Sequence, residues 1–224
     1  MLAQEHHLPV VRTARYYQVG EISASTRRLW VVAHGYGQLA AYFIRHFAPL
    51  AATAPDLVVL APEGLSRFYL QGTNGRIGAT WMTREDRLTE INDYVAYLNQ
   101  LVEVVLPQAA PDVAVTVLGF SQGAATVCRW LTQARFRPVQ LVLWAGAFPP
   151  DMDFDVATHF LQDLPVTLIC GTEDEFITEE DLEQQRHLFR HVGVEPTILR
   201  FAGKHTLNAA VLAELNEAQL ASRH

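Results

Sequence analysis

The sequence predicts an α/β fold in which helices cover both faces of a mostly parallel central sheet, with no large lid domain. Three observations predict it. Short runs rich in Val, Leu and Ile alternate with longer segments of helical period, as strand-helix units do. Most of the apolar runs end in Gly, Pro or small residues. The 224 residues suffice for one sizeable core but are short for two, so a single domain over 1–224 is expected.

Taken in chain order, Tyr16 to Gly20 is a candidate edge strand, and Leu29 to Ala33 is the first long one. Leu39, Tyr42, Phe43, Phe47 and Leu50 suggest a helix before the strand Leu57 to Ala61. From Glu63 to Thr83 neither period holds, and Gly64, Gly72, Gly75 and Gly78 mark a loop. The clearest helix runs from about Arg84 to Val105. There Ile91, Tyr94, Val95, Leu98, Leu101, Val102 and Val105 form one stripe at spacings of three and four, and Pro107 ends it.

The strands Val113 to Leu118, Leu141 to Ala145, Val166 to Cys170 and Thr197 to Phe201 complete the sheet. Between them Phe148 to Asp155, with Pro149 and Pro150, reads as a second loop. The acidic start Glu179, Glu180, Asp181 before Leu182 suits a helix N-terminus, and Leu207, Val211 and Leu215 suggest the last helix. Loops that follow the carboxyl ends of parallel strands are where ligands bind, so both loops are candidate pocket walls.

Composition excludes several function classes. A formal charge of −7 argues against a phosphate-backbone binder, which needs an excess of Lys and Arg, so no nucleic-acid partner is expected. Cys128 and Cys170 sit among apolar neighbours and read as buried small hydrophobes, with neither a disulfide framework nor a metal knuckle implied. Glu5, His6 and His7 stand where a secretory signal would be apolar. No run approaches the ~18 apolar residues of a membrane span, so no stable membrane insertion is expected and the cytoplasm is the default location. No surface patch is marked as an interface, and no oligomeric state is assigned.

The strongest local signal is Gly119-Phe120-Ser121-Gln122-Gly123. It matches G-x-S-x-G at the end of an apolar strand and ahead of the small residues Ala124, Ala125 and Thr126. A serine on such a strand-to-helix turn exposes its hydroxyl above the sheet, with the positive end of the helix beside it. Among Ser23, Ser25, Ser66, Ser121 and Ser222, only Ser121 has that context.

Serine needs a base to take its proton and a carboxylate to orient the base. The G-x-S-x-G turn resembles that of the α/β-hydrolases, and the resemblance implies the chain order Ser, then Asp or Glu, then His, each on a loop after a strand. Gly171-Thr172-Glu173-Asp174 follows one strand, and Gly203-Lys204-His205 follows the next. His205 is therefore the expected base. Asp174 is the expected acid, with Glu173 and Glu175 as rivals in the same turn. His34 competes for the base but lies far ahead of Ser121 and is expected to be structural; the other histidines fall at the termini or on helices.

His34-Gly35-Tyr36-Gly37 closes the first long strand. One half of an oxyanion hole belongs there in such a fold, and the other is the N–H of Gln122. No metal-ligand spacing, phosphate-binding glycine pattern or cysteine cluster occurs, so neither metal nor cofactor is expected.

These four blocks together resemble the phospholipase/carboxylesterase family of α/β-hydrolases, which includes the acyl-protein thioesterases and small bacterial carboxylesterases. The resemblance spans about the whole chain and rests most on the Gly119 to Gly123 block. It implies an α/β-hydrolase fold, a Ser121, His205, Asp174 triad and Tyr36 and Gln122 as oxyanion donors. It also selects Asp174 within its acidic turn. A carboxylic ester of a small molecule is the implied substrate, cleaved through an acyl-enzyme; the alternatives are an acyl thioesterase or lysophospholipase with the same triad and, from a different class, a non-catalytic binding protein on the same fold. The family carries a tryptophan before the long helix, as Trp81 here, usually followed by an aromatic and an acid; here Met82-Thr83-Arg84 follow. Phe68, Tyr69, Trp81 and Phe148 are expected to line an apolar groove beside Ser121, the alternative for each being ordinary packing.

Overall fold

The computed structural model describes residues 3–221. Its elements run β1 (Tyr16–Val19), β2 (Arg28–Ala33), α1 (Ala40–Phe43), α2 (Ala48–Thr53), β3 (Leu57–Pro62), β4 (Ser66–Tyr69) and β5 (Ile77–Thr80). They continue as α3 (Arg87–Val105), β6 (Ala114–Phe120), α4 (Gln122–Leu131), β7 (Gln140–Trp144), α5 (Phe154–Leu161), β8 (Val166–Gly171), α6 (Glu179–His191), β9 (Thr197–Phe201) and α7 (Ala209–Ala221).

Seven strands form one sheet in the order β1-β3-β2-β6-β7-β8-β9, and β4 pairs with β5 in a separate hairpin. Only β1 is antiparallel to its neighbour in the large sheet. Because side chains alternate along a strand, each buried strand feeds two cores. Leu29, Val31, Val115, Val117, Leu141 and Leu143 face a layer that includes α3, α4, α5 and α6. Trp30, Val32, Leu118, Phe120, Val142 and Trp144 face α1, α2 and α7. Every residue of the apolar stripe expected on α3 is buried. Among the described residues no helix is long and apolar enough to cross a membrane.

This topology places a crevice at the carboxyl ends of β2 and β6. These strands are neighbours, yet the chain leaves β2 toward one face and β6 toward the other. That divergence is the switch point at which open α/β sheets hold ligands.

Two stretches differ from the sequence expectation. The segment read as a loop from Glu63 to Thr83 contains the β4–β5 hairpin, whose strands pair from Ser66↔Thr80 to Tyr69↔Ile77. Its strands are four residues each: β4 alternates half-buried and exposed residues, and β5 buries the small residues Gly78, Ala79 and Thr80, so neither has the continuous Val, Leu and Ile run that identifies a buried strand. The second loop ends in α5, whose first turn is capped inside the stretch read as loop: Asp153 accepts from Asp155 N at 2.8 Å and Val156 N at 3.2 Å.

Candidate active site

Ser121 follows β6 directly and heads α4 with φ 53° and ψ −117°, a conformation that side chains rarely adopt. The surroundings enforce it. Ser121 N donates to Trp144 O at 2.9 Å, and Ala124 N donates to Ser121 O at 3.0 Å. The flanking glycines admit backbone where a Cβ would collide: one on Gly119 would lie 2.3 Å from Gly123 O, and one on Gly123 2.2 Å from Ala33 O. The strained turn is thus fixed by its neighbours, as such turns must be to persist.

The ends of β8 and β9 bring two further side chains to this turn. Glu173 N donates to Gly203 O at 2.9 Å and Thr172 N to Phe201 O at 2.9 Å; a Cβ on Gly171 would meet Gly203 O at 2.2 Å. The turns carrying Asp174 and His205 are therefore clamped together. His205 Nε2 lies 3.0 Å from Ser121 Oγ, and His205 Nδ1 lies 2.9 Å from Asp174 Oδ2 and 3.1 Å from Oδ1. Asp174 also accepts at Oδ1 from Phe176 N at 2.9 Å and Ile177 N at 3.2 Å, and its side chain is fully buried. The buried carboxyl group thus has four polar contacts, which fix its orientation toward His205. Of the three acids in that turn Asp174 is the one that meets His205, while Glu173 and Glu175 are exposed. With Nδ1–H given to the carboxylate, Nε2 is left to accept from the serine hydroxyl. The rings of Phe120 and Phe176 pack on the imidazole at 5.0 and 4.8 Å.

The loop after β2 lies against the same turn, since a Cβ on Gly35 would touch Ser121 Cβ at 3.1 Å. Within it Gly35 N donates to Gln38 Oε1 at 2.8 Å, Gly37 N to Ala79 O at 2.9 Å and Gln38 N to Gly35 O at 3.2 Å. Among the described residues Tyr36 N finds no acceptor, and neither does Gln122 N at the first turn of α4. Two main-chain donors next to a serine hydroxyl can hold an oxygen that becomes negative during reaction.

His34 is buried and structural. Its Nδ1 bonds Gly35 O at 2.8 Å and its Nε2 accepts from Gly64 N at 3.0 Å, which fixes the neutral ring with hydrogen on Nδ1. Burial lowers its pKa, against raising contributions from the Gly35 bond and Glu63. Cys128 and Cys170 are free and buried; burial pushes the Cys170 thiol up to about 11 and the Cys128 thiol higher still. Neither is a thiolate at neutral pH.

The expected groove needs correction. Trp81 and Phe148 are each 1% exposed. Trp81 stacks on His34 and donates its indole N–H to His34 O at 2.9 Å, and Phe148 packs against Phe160 and Phe189 under α5 and α6. Their bulk fills the core and leaves no ring face open. Phe68 is half-buried against the exposed Tyr36 at 5.1 Å, and Tyr69 is exposed. Sequence reasoning missed Phe176, whose signal was an aromatic two residues after Asp174, and Gln38, Ala79 and Thr80, which had none beyond a Gly-rich setting.

Among the described residues the gathering of three side chains able to hold an ion is Glu5, His7 and Asp86, all exposed and outside this cluster. A cleft of about 770 Å³ between 7–16 and α3 likewise shares no residue with it.

Comparison with known proteins accords with this architecture. A family model described as Phospholipase/Carboxylesterase matches residues 17–207. Acyl-protein thioesterase 2 from Zea mays superposes with a TM-score of 0.71 at 16% identity, covering 93% of this chain and 99% of its own. Esterase PE8 gives 0.68 at 20% identity, covering 94% and 99%. A carboxylesterase from Mesorhizobium loti gives 0.64 at 19%, covering 90% and 93%. No curated protein matches the sequence. These structural likenesses establish an α/β-hydrolase-like fold, and the matched family model goes further: the chain belongs to the phospholipase/carboxylesterase family, and with it to the hydrolases of esterase and thioesterase type.

Proposed function

We propose that this chain is a carboxylic ester hydrolase acting through an acyl-enzyme, with Ser121 as nucleophile, His205 as general base and acid, and Asp174 as the group that orients His205. The observation that carries the reading is the hydrogen-bonded line from Ser121 Oγ through His205 to the buried Asp174.

In the first half-reaction His205 Nε2 takes the hydroxyl proton as Ser121 Oγ bonds to the ester carbonyl carbon. The carbonyl oxygen becomes the oxyanion and accepts from Tyr36 N and Gln122 N. Collapse breaks the bond to the leaving alkoxide, which receives the proton from His205. Water then repeats the sequence on the acyl-enzyme, releasing the acid and restoring Ser121. All of these steps are served by groups of the chain itself. The exposed ring of Tyr36, with Phe68 packed against it, and the exposed ring of Phe176 against His205 are the apolar groups offered to an acyl chain.

A thioester would pass through the same steps with a thiolate leaving, and the fold shared with a plant acyl-protein thioesterase favours keeping it in the test. Wild type and Ser121→Ala are assayed side by side on 4-nitrophenyl esters of increasing acyl length and on acyl-CoA thioesters. Turnover of esters by wild type alone is the expected result. Turnover confined to thioesters would make the protein a thioesterase, and equal rates for both proteins would overturn the proposal.

A further inference from the structure

Strand β5 and the two residues after it touch the neighbours of both amides assigned above as oxyanion donors: the loop on either side of Tyr36, and the side chain of Gln122. Ala79 O accepts from Gly37 N at 2.9 Å and Ala79 N donates to Gln38 O at 3.0 Å, which bridges β5 to the loop carrying Tyr36. The next residues hold Gln122. Its side-chain Nε2 donates to Thr80 Oγ1 at 3.0 Å and to Met82 O at 2.8 Å, and its Oε1 accepts from Trp81 N at 3.2 Å. Thr80 Oγ1 stands 2.9 Å from Met82 O and 3.1 Å from Gln122 Oε1, so its single hydrogen has an acceptor either way. With the amide turned over, an NH₂ would face Trp81 N–H and an oxygen would face Met82 O, so the network admits one orientation.

Backbone fit leaves this strand little freedom. A Cβ on Gly78 would lie 2.4 Å from Gly37 O, and one on Gly64 2.4 Å from Thr80 O. Thr80 is 2% exposed, so its hydroxyl bonds are made out of bulk water.

We infer that β5 sets the spacing between the two oxyanion donors, with Thr80 as a positioning residue acting through the Gln122 side chain. The inference rests on the reading of Tyr36 N and Gln122 N as donors to the tetrahedral intermediate. Gln122 then has two separable roles. Its main-chain N–H binds the developing charge, and its carboxamide, tied to 80–82, aims that N–H. Donors of this kind act only when held where the charge develops, and misplacement by about 1 Å can cost about 10²-fold in rate.

The test compares wild type, Thr80→Val, Thr80→Ser and Gln122→Met; the last keeps the main-chain donor and removes the brace. Each is assayed for kcat and KM on the best 4-nitrophenyl ester. Each is also assayed for inhibition by a boronic acid of matching chain length, which forms a tetrahedral anion on serine, and by the product carboxylic acid, which does not. Thr80→Val and Gln122→Met are expected to lower kcat by about 10–100-fold with KM changed less than about threefold, to weaken the boronate in proportion and to leave the product acid unaffected. Thr80→Ser, which keeps the hydroxyl, is expected to restore kcat. Wild-type kcat in either folded variant, or a rise in KM alone, overturns the inference. If Thr80→Val does not fold, Gln122→Met decides by the same readouts; if neither folds, the brace serves folding and the positioning role falls. A wild type no more active than Ser121→Ala would instead remove the hydrolase reading underneath.

Discussion

The carboxyl edge of β6, β8 and β9 and the β4–β5 hairpin hold two halves of one site by different means. At the sheet edge each strand ends in a tight turn, and the turn projects a side chain: Ser121, Asp174 and His205 meet within 3.1 Å of one another in sequence along the line. At the hairpin the restrained groups are main-chain amides, and the restraint is backbone pressed on backbone with a few side-chain hydrogen bonds. Chemistry carried by side chains leaves a mark in the sequence, because only a few residue types can perform it. Geometry carried by backbone leaves almost none, because every residue except proline has an N–H.

Unequal consequences should follow when the two halves are broken. Ser121→Ala removes the proposed nucleophile and is expected to lower kcat by on the order of 10⁵-fold or more, with near wild-type thermal unfolding, in the ester assay above. Asp174→Asn retains the shape but supplies an NH₂ or a neutral oxygen to His205, which favours the wrong tautomer; a loss of roughly 10⁴-fold is expected. A loss below about tenfold in Asp174→Asn would mean that the backbone turns alone orient His205, and the distinction between the two regions would collapse.

The hairpin should answer more gently and in another way. Gly78→Ala puts a methyl 2.4 Å from Gly37 O, so strand and loop must part. About 10–100-fold in kcat is expected, with the rate of serine labelling by a fluorophosphonate, which also builds charge on oxygen, falling in step. An unchanged kcat in Gly78→Ala would show that the loop after β2 keeps its place without β5.

The same contrast explains what was legible in the sequence. The six long strands are legible to within two residues at either end: five are buried runs dominated by apolar residues, and β9, at the sheet edge, shows as the short apolar segment Thr197 to Phe201. The α3 stripe was found because one helical face is buried along its length. Ser121, His205 and Asp174 stood on turns where their order was dictated. The hairpin is hidden in the sequence, since its strands are four residues each, β4 is half exposed, and the buried stretch of β5 consists of Gly78, Ala79 and Thr80 with no large apolar side chain. Asn74-Gly75 between the two runs was the available turn signal. For Trp81 the alternative of ordinary packing holds, for a related reason: an aromatic in a segment without period reads equally as a pocket wall, whereas here it is packed on His34 and bonded to the loop that it supports.

His34 joins the two regions, and it makes the smallest of the expected effects. Its ring ties the end of β2 to Gly64, just ahead of the hairpin, and it does so only as the neutral tautomer that accepts at Nε2. Burial lowers its pKa in the folded protein, so between that value and about 6.5 the unfolded chain binds the extra proton. Its contribution to stability is then complete above about pH 6.5 and is lost as pH falls through the folded-state pKa. The midpoint of thermal unfolding should therefore drop on acidification below about pH 6.5. His34→Gln, whose amide can both donate and accept without titrating in this range, should flatten that part of the profile while costing some stability at pH 8. A His34→Gln profile parallel to wild type through this window would mean that His34 does not titrate with unfolding. The acid sensitivity would then belong to the carboxylates, and His34 would be a mechanical tie between strand and hairpin with no pH dependence of its own.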